Sequence, residues 1–316
     1  MLLRSASALL CLNLAVTCAF ANDKLKLAVG APGNWDTCVS EVGKRAGIFA
    51  KHGLELETLF TNGGGETMQA VISGSVDIGV AAGTAATMAA YVKGAPVRIF
   101  LAGTTGTGDL YWYVPAKSPI KSLAEASGKT MAYSTNGAST HTTALALIDH
   151  FKVKAIPTAT GASAVTLTQA MSGQIDLGWA SPPFGLKQLR DGEIRVIARG
   201  SDAPSTRDQT VRVHIVNAQA LAAKPAVIAR YAKAYRESLD YLYNTQEGLR
   251  HYADYAQIDM DLAARIRDEF MPKAAMNPDI VSGLDAITAD AIAFKFLQKP
   301  LTPDELKGLI QISPRT

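Results

Sequence analysis

The chain states one phrase twice, SGSVDIGVAAG at residues 73–83 and SGQIDLGWASP at residues 172–182. Each follows a short helix-like stretch, GGETMQAVI or GASAVTLTQAM. Each is followed by a second helical segment, TAATMAAYVKG or PPFGLKQLRDG, and then by an apolar run, VRIFLAG or IRVIARG. Helix, strand, helix, strand in a fixed order builds a sheet with helices on its faces, and such alternation predicts parallel strands. The upstream pieces repeat as well. Strand KLKLAVG (24–30), helix WDTCVSEVGKRAGIFAKHG and strand LELETLF correspond to KTMAYST (129–135), STHTTALALIDHF and KAIPTAT. Two similar α/β lobes are therefore expected. The chain should pass between them near Gly106 to Leu110, where TTGTGD is small and flexible, and return through SDAPSTRDQT at 201–210. That assigns residues 22–108 and 211–316 to one lobe and 109–210 to the other. From Pro225 onward the pattern turns helical, with Ile228, Tyr231, Tyr235, Leu239 and Leu242 recurring at spacings of three and four, as in a helix packed on the first lobe.

Residues 1–21 read as a segment apart. MLLRSASALLCLNLAVTCAFA has one basic residue (Arg4), an apolar run from Ala8 to Val16, and an Ala19-Phe20-Ala21 cleavage site, the pattern of a secretory signal. The run is well short of the roughly 20 residues that span a bilayer. Lipidation at Cys18 would want a small residue before it, and Thr17 is a poor one. A mature chain starting near Asn22 keeps about 295 residues, more than one hydrophobic core usually accommodates. It keeps Cys38 as its sole cysteine, so no internal disulfide is expected. The net charge of +3 comes without any run of Lys and Arg, which argues against a nucleic-acid partner.

Sheets of this class bind ligands beyond the carboxyl ends of their strands, where loops lead into helix N-termini. Four such loops can be named: APGNW (31–35), AGTAAT (82–87), NGASTH (136–141) and SPPF (181–184). The first turns in GTAAT and GASTHTT contain no Asp or Glu, although the helix dipole favours an acid there by about 0.3–1 kcal/mol. Such ends can hold an external carboxylate, sulfonate or phosphate group on backbone N–H groups and hydroxyls. The candidate ligand contacts are accordingly Asn34, Trp35, Gly83, Thr84, Asn136, Gly137, Ala138, Ser139, Thr140, His141, Ser181 and Phe184. The plainer reading is that Ser139 and Thr84 merely cap their helices. Of the aromatics beside strand ends, Trp35 and Phe184 are the better surfaces for an organic ligand, and Trp179 is expected to point into its sheet. Asp77 and Asp176 precede their strands on the side away from the ligand end and read as strand-entry residues. No G-x-S-x-G elbow, P-loop lysine, H-E-x-x-H or paired-cysteine site occurs, so no catalytic residue, metal or cofactor is expected.

The stretch SPIKSLAEASGKTMAYSTNGASTH, the two S-G-x-[VI]-D-[IL]-G phrases and IRVIARGSD together resemble the periplasmic solute-binding proteins of ABC importers for sulfonates, taurine and nitrate. The likeness covers essentially the whole mature chain. It implies an α/β, two-lobe binding-protein fold of type II with two hinge crossings, a periplasmic location, partnership with an inner-membrane permease, a monomeric state and a small anionic ligand held between the lobes. By position, Gly137 to His141 match the family's anion-contacting loop, and Gly83 and Thr84 the opposing helix start. Relatives often carry Trp-Asp/Glu-Pro-aromatic where this chain has Ser181-Pro182-Pro183-Phe184, so an amine-bearing ligand or a metal-assisted oxyanion does not carry over from the likeness. Two other classes stay open: an enzyme on the same scaffold resembling thiamine-pyrimidine synthases, which would need His141 or another cleft residue to react, and a two-lobe sensor domain.

Overall fold

The computed structural model describes residues 22–315, so the expected signal segment and Cys18 lie outside the described residues. Its strands are β1 (Asp23–Gly30), β2 (Leu54–Thr61), β3 (Ile78–Gly83), β4 (Val97–Ala102), β5 (Tyr111–Pro115), β6 (Thr130–Tyr133), β7 (Ile156–Ala159), β8 (Gly178–Ala180), β9 (Ile194–Arg199) and β10 (Arg212–Asn217). The helices are α1 (Trp35–Arg45), α2 (Ile48–Lys51), α3 (Gly64–Ile72), α4 (Thr84–Val92), α5 (Ser139–His150), α6 (Ser163–Met171), α7 (Leu186–Arg190) and α8 (Ala218–Ala223). They continue as α9 (Pro225–Asn244), α10 (Gln246–Ala256), α11 (Met260–Arg265), α12 (Leu284–Ala293) and α13 (Pro303–Leu309).

One sheet has the order β2-β1-β3-β10-β4. In the other half β8-β5-β9 and β6-β7 form separate ladders, joined through a bridge between Met131 and Leu177, which gives the order β7-β6-β8-β5-β9. The two orders are the same once β2, β1, β3, β10, β4 are matched with β7, β6, β8, β5, β9. The duplicated phrase has the same job in each. Asp77 accepts a hydrogen bond from the Lys26 backbone N–H of β1 at 3.0 Å, and Asp176 accepts one from the Thr130 N–H of β6 at 2.9 Å. Both carboxylates thus pin the entry of β3 or β8 to the neighbouring strand, far from the ligand end.

Neither sheet is fully parallel, contrary to what the alternation predicts. β10 runs antiparallel to β3 and β4, and β5 antiparallel to β8 and β9. The cause lies in the crossings. β10 begins with Arg212 opposite Gly83, the last residue of β3, and β5 begins with Tyr111 opposite Ala180, the last of β8. A strand arriving from the other lobe enters at the edge that faces that lobe and can only run away from it. The crossings themselves lie side by side: Gly106 N–H donates to the Gln209 carbonyl at 2.8 Å, and Thr105 bridges Thr210.

Side-chain alternation builds the layers. Leu25, Leu27 and Val29 of β1 face a core shared with α1, α9 and α10, whereas Ala28 faces Met68 and Val71 of α3, Met88 of α4 and Ile287 of α12. The α9 stripe of Ile228, Tyr231, Tyr235, Leu239 and Leu242 is buried in the first of these cores, as its spacing predicts. In the second lobe Trp112 and Val114 of β5 pack toward Ala144 and Leu147 of α5, while Tyr111 and Tyr113 pack toward Ala170 of α6. Among the described residues no helix is long and apolar enough to cross a membrane.

Candidate functional site

The ligand ends of the two sheets meet through glycine. A Cβ placed on Gly83 would lie 2.1 Å from the Gly137 carbonyl oxygen, and one on Gly65 would lie 2.1 Å from that of Asn136. The loop 134–138 of the second lobe therefore rests directly on the backbone of the α3 and α4 tips. Behind this seam lies a cavity of about 30 Å³, lined by Asn34, Asp36, Gly63 and Arg212 from one lobe and by Ser134, Ala138, Ser139, Thr140 and Trp179 from the other. A volume of this size admits about one water molecule. Any larger guest requires the lobes to part.

The α5 tip carries the strongest helix-end signal. Its N-cap is Ala138, which has no side-chain oxygen, and no side chain caps it. The first-turn N–H groups of Ser139 and Thr140 are thus the donors that a helix leaves orphaned. Ser139 is a first-turn residue, so the capping reading does not apply to it. Its hydroxyl accepts a hydrogen bond from Arg212 Nε at 2.8 Å. The Thr140 hydroxyl accepts from Ser134 N–H at 3.0 Å and lies inside its own lobe. Thr84, at the opposing tip, is differently placed: its N–H and hydroxyl donate to the carbonyls of Val211 and Thr210, at 3.1 and 2.5 Å. The hinge backbone therefore uses both of its donors.

Arg212 is the residue that helix-tip reasoning does not find. It is 5% exposed, and its guanidinium meets Asp109 Oδ2 at 2.9 Å and Asp36 Oδ2 at 3.2 Å. Asp109 accepts a hydrogen bond from Arg212 Nη2 at 3.3 Å and one from the Ser181 hydroxyl at 2.9 Å. One base and two acids are thereby buried together where the crossings enter the lobes. Burial works against the guanidinium's charge, but Asp109 and then Asp36 outweigh it and hold Arg212 above the usual arginine range. Burial pushes the Asp36 carboxyl up; Arg212 pulls it back and Asp109 adds to the rise.

The remaining candidates divide plainly. Asn34 lines the cavity, is 5% exposed, and its Oδ1 has no hydrogen-bond partner among the described residues. Trp35 lies off the cavity in the first lobe's core, its indole N–H on the Tyr243 hydroxyl at 2.8 Å and its ring edge-on to Tyr252 at 4.5 Å. Trp179, by contrast, lines the cavity while donating its indole N–H to the Gly161 carbonyl at 3.2 Å. Position beside a strand end cannot tell which face a tryptophan takes, and the two exchange the parts their sequence positions suggest. Half-buried Phe184 sits beside Gly33 of the other lobe. Asn136 is exposed and accepts from the Tyr133 hydroxyl at 2.6 Å. Gly137 lies on the seam and donates its N–H to His141 Nδ1 at 3.3 Å. The His141 ring stacks on Tyr133 at 4.1 Å, off the cavity, and burial lowers its pKa.

This arrangement can hold a small guest by hydrogen bonds and charge. The ionic cluster beside it spans both halves, Arg212 meeting Asp36 of its own lobe and Asp109 and Ser139 of the other.

Residues 40–248 match the family described as NMT1/THI5 like. No curated protein matches the chain. Among solved structures, the chain is similar to the alkanesulfonate-binding protein SsuA from Xanthomonas axonopodis pv. citri bound to MOPS, with a TM-score of 0.76 and 16% identity over 93% of this chain and 100% of that one. It is similar to the periplasmic nitrate-binding protein NrtA from Synechocystis PCC 6803, with a TM-score of 0.70 and 13% identity over 92% of this chain and 86% of that one. The desulfurization enzyme DSZB also shares the fold, with a TM-score of 0.61 and 12% identity over 92% of this chain and 97% of that one. At these identities the likeness is one of fold, a fold that serves binding proteins and an enzyme alike. The chain is a two-lobe α/β protein of the periplasmic-binding-protein fold, and it belongs to the NMT1/THI5-like family.

Proposed function

We propose that this protein is the periplasmic substrate-binding component of an ABC importer, that it captures a small organic anion between its lobes as a monomer, and that an inner-membrane permease reads its closed form. The lobes comprise residues 22–108 with 211–316, and 109–210. The observation that carries this reading is the cavity between the sheets, where the uncapped first turn of α5 and the Arg212 guanidinium lie side by side. A helix N-terminus and a guanidinium both favour an anion. Because the walls come from both lobes, a ligand makes its full set of contacts only when they close, and binding shifts the population by that difference in affinity.

The enzyme reading is less well supported. His141 and Cys38, the side chains best suited to general-base or nucleophilic work, lie off the cavity, and Ser139 touches a guanidinium instead of a base. The test is a thermal-shift screen of the mature protein against sulfonates, carboxylates and nitrate, with product analysis of every hit. A ligand at 100 times its dissociation constant adds about 2.7 kcal/mol of stability. Ser139→Ala should weaken an anion hit by roughly tenfold or more, since it removes a group that orients a charged partner. Turnover of the hit would establish the enzyme reading, and unchanged affinity in Ser139→Ala would remove the α5 tip from the site.

A further inference from the structure

We infer that the turn after α12 is a latch by which the first lobe holds the second: Phe294 packs on the second lobe's core, Phe296 on His141 beside the α5 tip, and together they favour the closed form. The inference rests on the lobes opening and closing, as the receptor reading requires, and adds what sets the balance.

The latch has its root in the first lobe. Ile287 and Ala291 of α12 are buried in that lobe's core with Met88 of α4 and Ile99 of β4, and Leu297 and Leu301, beyond the turn, return to the same core. α12 also lies along the returning crossing. A Cβ on Gly283 would come 2.7 Å from the Asp208 carbonyl oxygen, and Asp290 accepts a hydrogen bond from the Gln209 amide at 2.7 Å. Between these anchors the chain reaches across. Phe294, which ends α12, packs against the core cluster of the second lobe that holds Ala144 and Leu147 of α5. Phe296 sets its ring edge-on to His141, with centroids 5.6 Å apart and planes at 74°. Lys295 between them has a φ of +63°, a left-handed value that costs a residue with a side chain and persists where the contacts on either side impose it.

The second lobe presents a fixed ring to this turn. His141 lies in the first turn of α5, close after Ser139. It stacks on Tyr133 at 4.1 Å, and its Nδ1 accepts the Gly137 N–H at 3.3 Å. Gly137 in turn carries the carbonyl that rests against Gly83 of the first lobe. Whatever holds the ring of His141 therefore steadies the seam and the α5 tip together. Phe294, Phe296 and His141 are all half-buried. Parting the lobes would return apolar surface on each of them to water, so their contact weights the population toward closure before any ligand arrives. The apparent affinity of a ligand scales with the fraction of protein in the competent form, which makes the latch a setting for the affinity of the site.

Small-angle scattering and proton NMR of the mature protein without ligand test this. Phe296→Ala should enlarge the radius of gyration with the circular dichroism unchanged, because the lobes spend more time apart. The His141 imidazole, which burial holds below the usual histidine range, should titrate at higher pH once its ring is uncovered. Any ligand found in the thermal-shift screen should bind Phe296→Ala at least about tenfold more weakly. Phe296→Leu keeps the apolar bulk, should fall between Phe296→Ala and the natural protein, and serves if Phe296→Ala does not fold. A residue that merely packed the C-terminal segment would lower the melting temperature and leave the radius alone. An unchanged radius in both variants overturns the latch, whatever the titration shows, and leaves the receptor reading standing. A screen without a hit counts against the receptor reading, while an enlarged radius in Phe296→Ala still upholds the latch.

Discussion

His214 sits within β10, its ring 4.6 Å from Tyr235 and neither nitrogen hydrogen-bonded among the described residues. Burial pushes its pKa down to about 3. The unfolded chain would titrate near 6.5. Above that pH both states are neutral and the histidine contributes no pH dependence. Between about 6.5 and about 3 the unfolded state takes up a proton that the folded state refuses, so stability falls as the pH drops. Relative to His214→Leu, the natural protein should lose roughly 3 kcal/mol more in urea unfolding between about pH 7 and about pH 4. Parallel pH profiles would mean that His214 finds a partner or reaches water. The neighbouring Arg212 shows how far sequence reasoning reaches at this scale. The α5 tip is legible because an acid-free first turn with glycine is a local pattern. Arg212 belongs to no local pattern: its role comes from Asp36, Asp109 and Ser139, which are distant in sequence. A faint signal exists, a charged residue inside the apolar run VRVHIVN directly after one crossing, with Asp109 at the end of the other.

Gly83, at the tip of α4, is glycine for want of space. Its φ of −68° suits any residue, so Gly83→Ala meets no backbone strain within its own lobe. The conflict is with the opposite lobe, whose Gly137 oxygen would lie 2.1 Å from the new Cβ. Gly83→Ala should therefore fold with each lobe's own core intact yet fail to close. Small-angle scattering should show a larger radius of gyration, and the affinity of any hit from the thermal-shift screen should drop at least about tenfold. An unchanged radius with unchanged affinity would show that the lobes do not close on this seam. The repeated elements around the seam were legible because periodicity and the duplicated Asp motif are written in consecutive residues. The direction of β5 and β10 was not, because strand direction depends on where the chain arrives from. Once the crossings at 103–110 and 200–211 are known, the reversal follows from geometry.

At the scale of the molecule, two lobes with separate cores are joined by two adjacent crossings and by Arg212, which belongs to one lobe and bonds to Ser139 and Asp109 of the other. Each lobe buries its own sheet and could in principle melt by itself. The smaller one, with fewer residues around its core, would do so first. What makes melting concerted is the cost of separating the lobes while the cluster stays buried. Unfolding the smaller lobe alone takes Asp109 and Ser139 away from Arg212, which keeps only Asp36 of its own lobe, and the loss of these bonds couples the two lobes. The natural protein should therefore unfold in one calorimetric transition with van't Hoff and calorimetric enthalpies in agreement. Arg212→Met removes every charged bond between the lobes at this point while leaving the crossings intact. It should lower the first transition and split the trace in two, with the van't Hoff enthalpy falling below the calorimetric one. A single transition merely shifted to lower temperature would mean that the crossings and the glycine seam alone couple the lobes, with Arg212 acting only within the site.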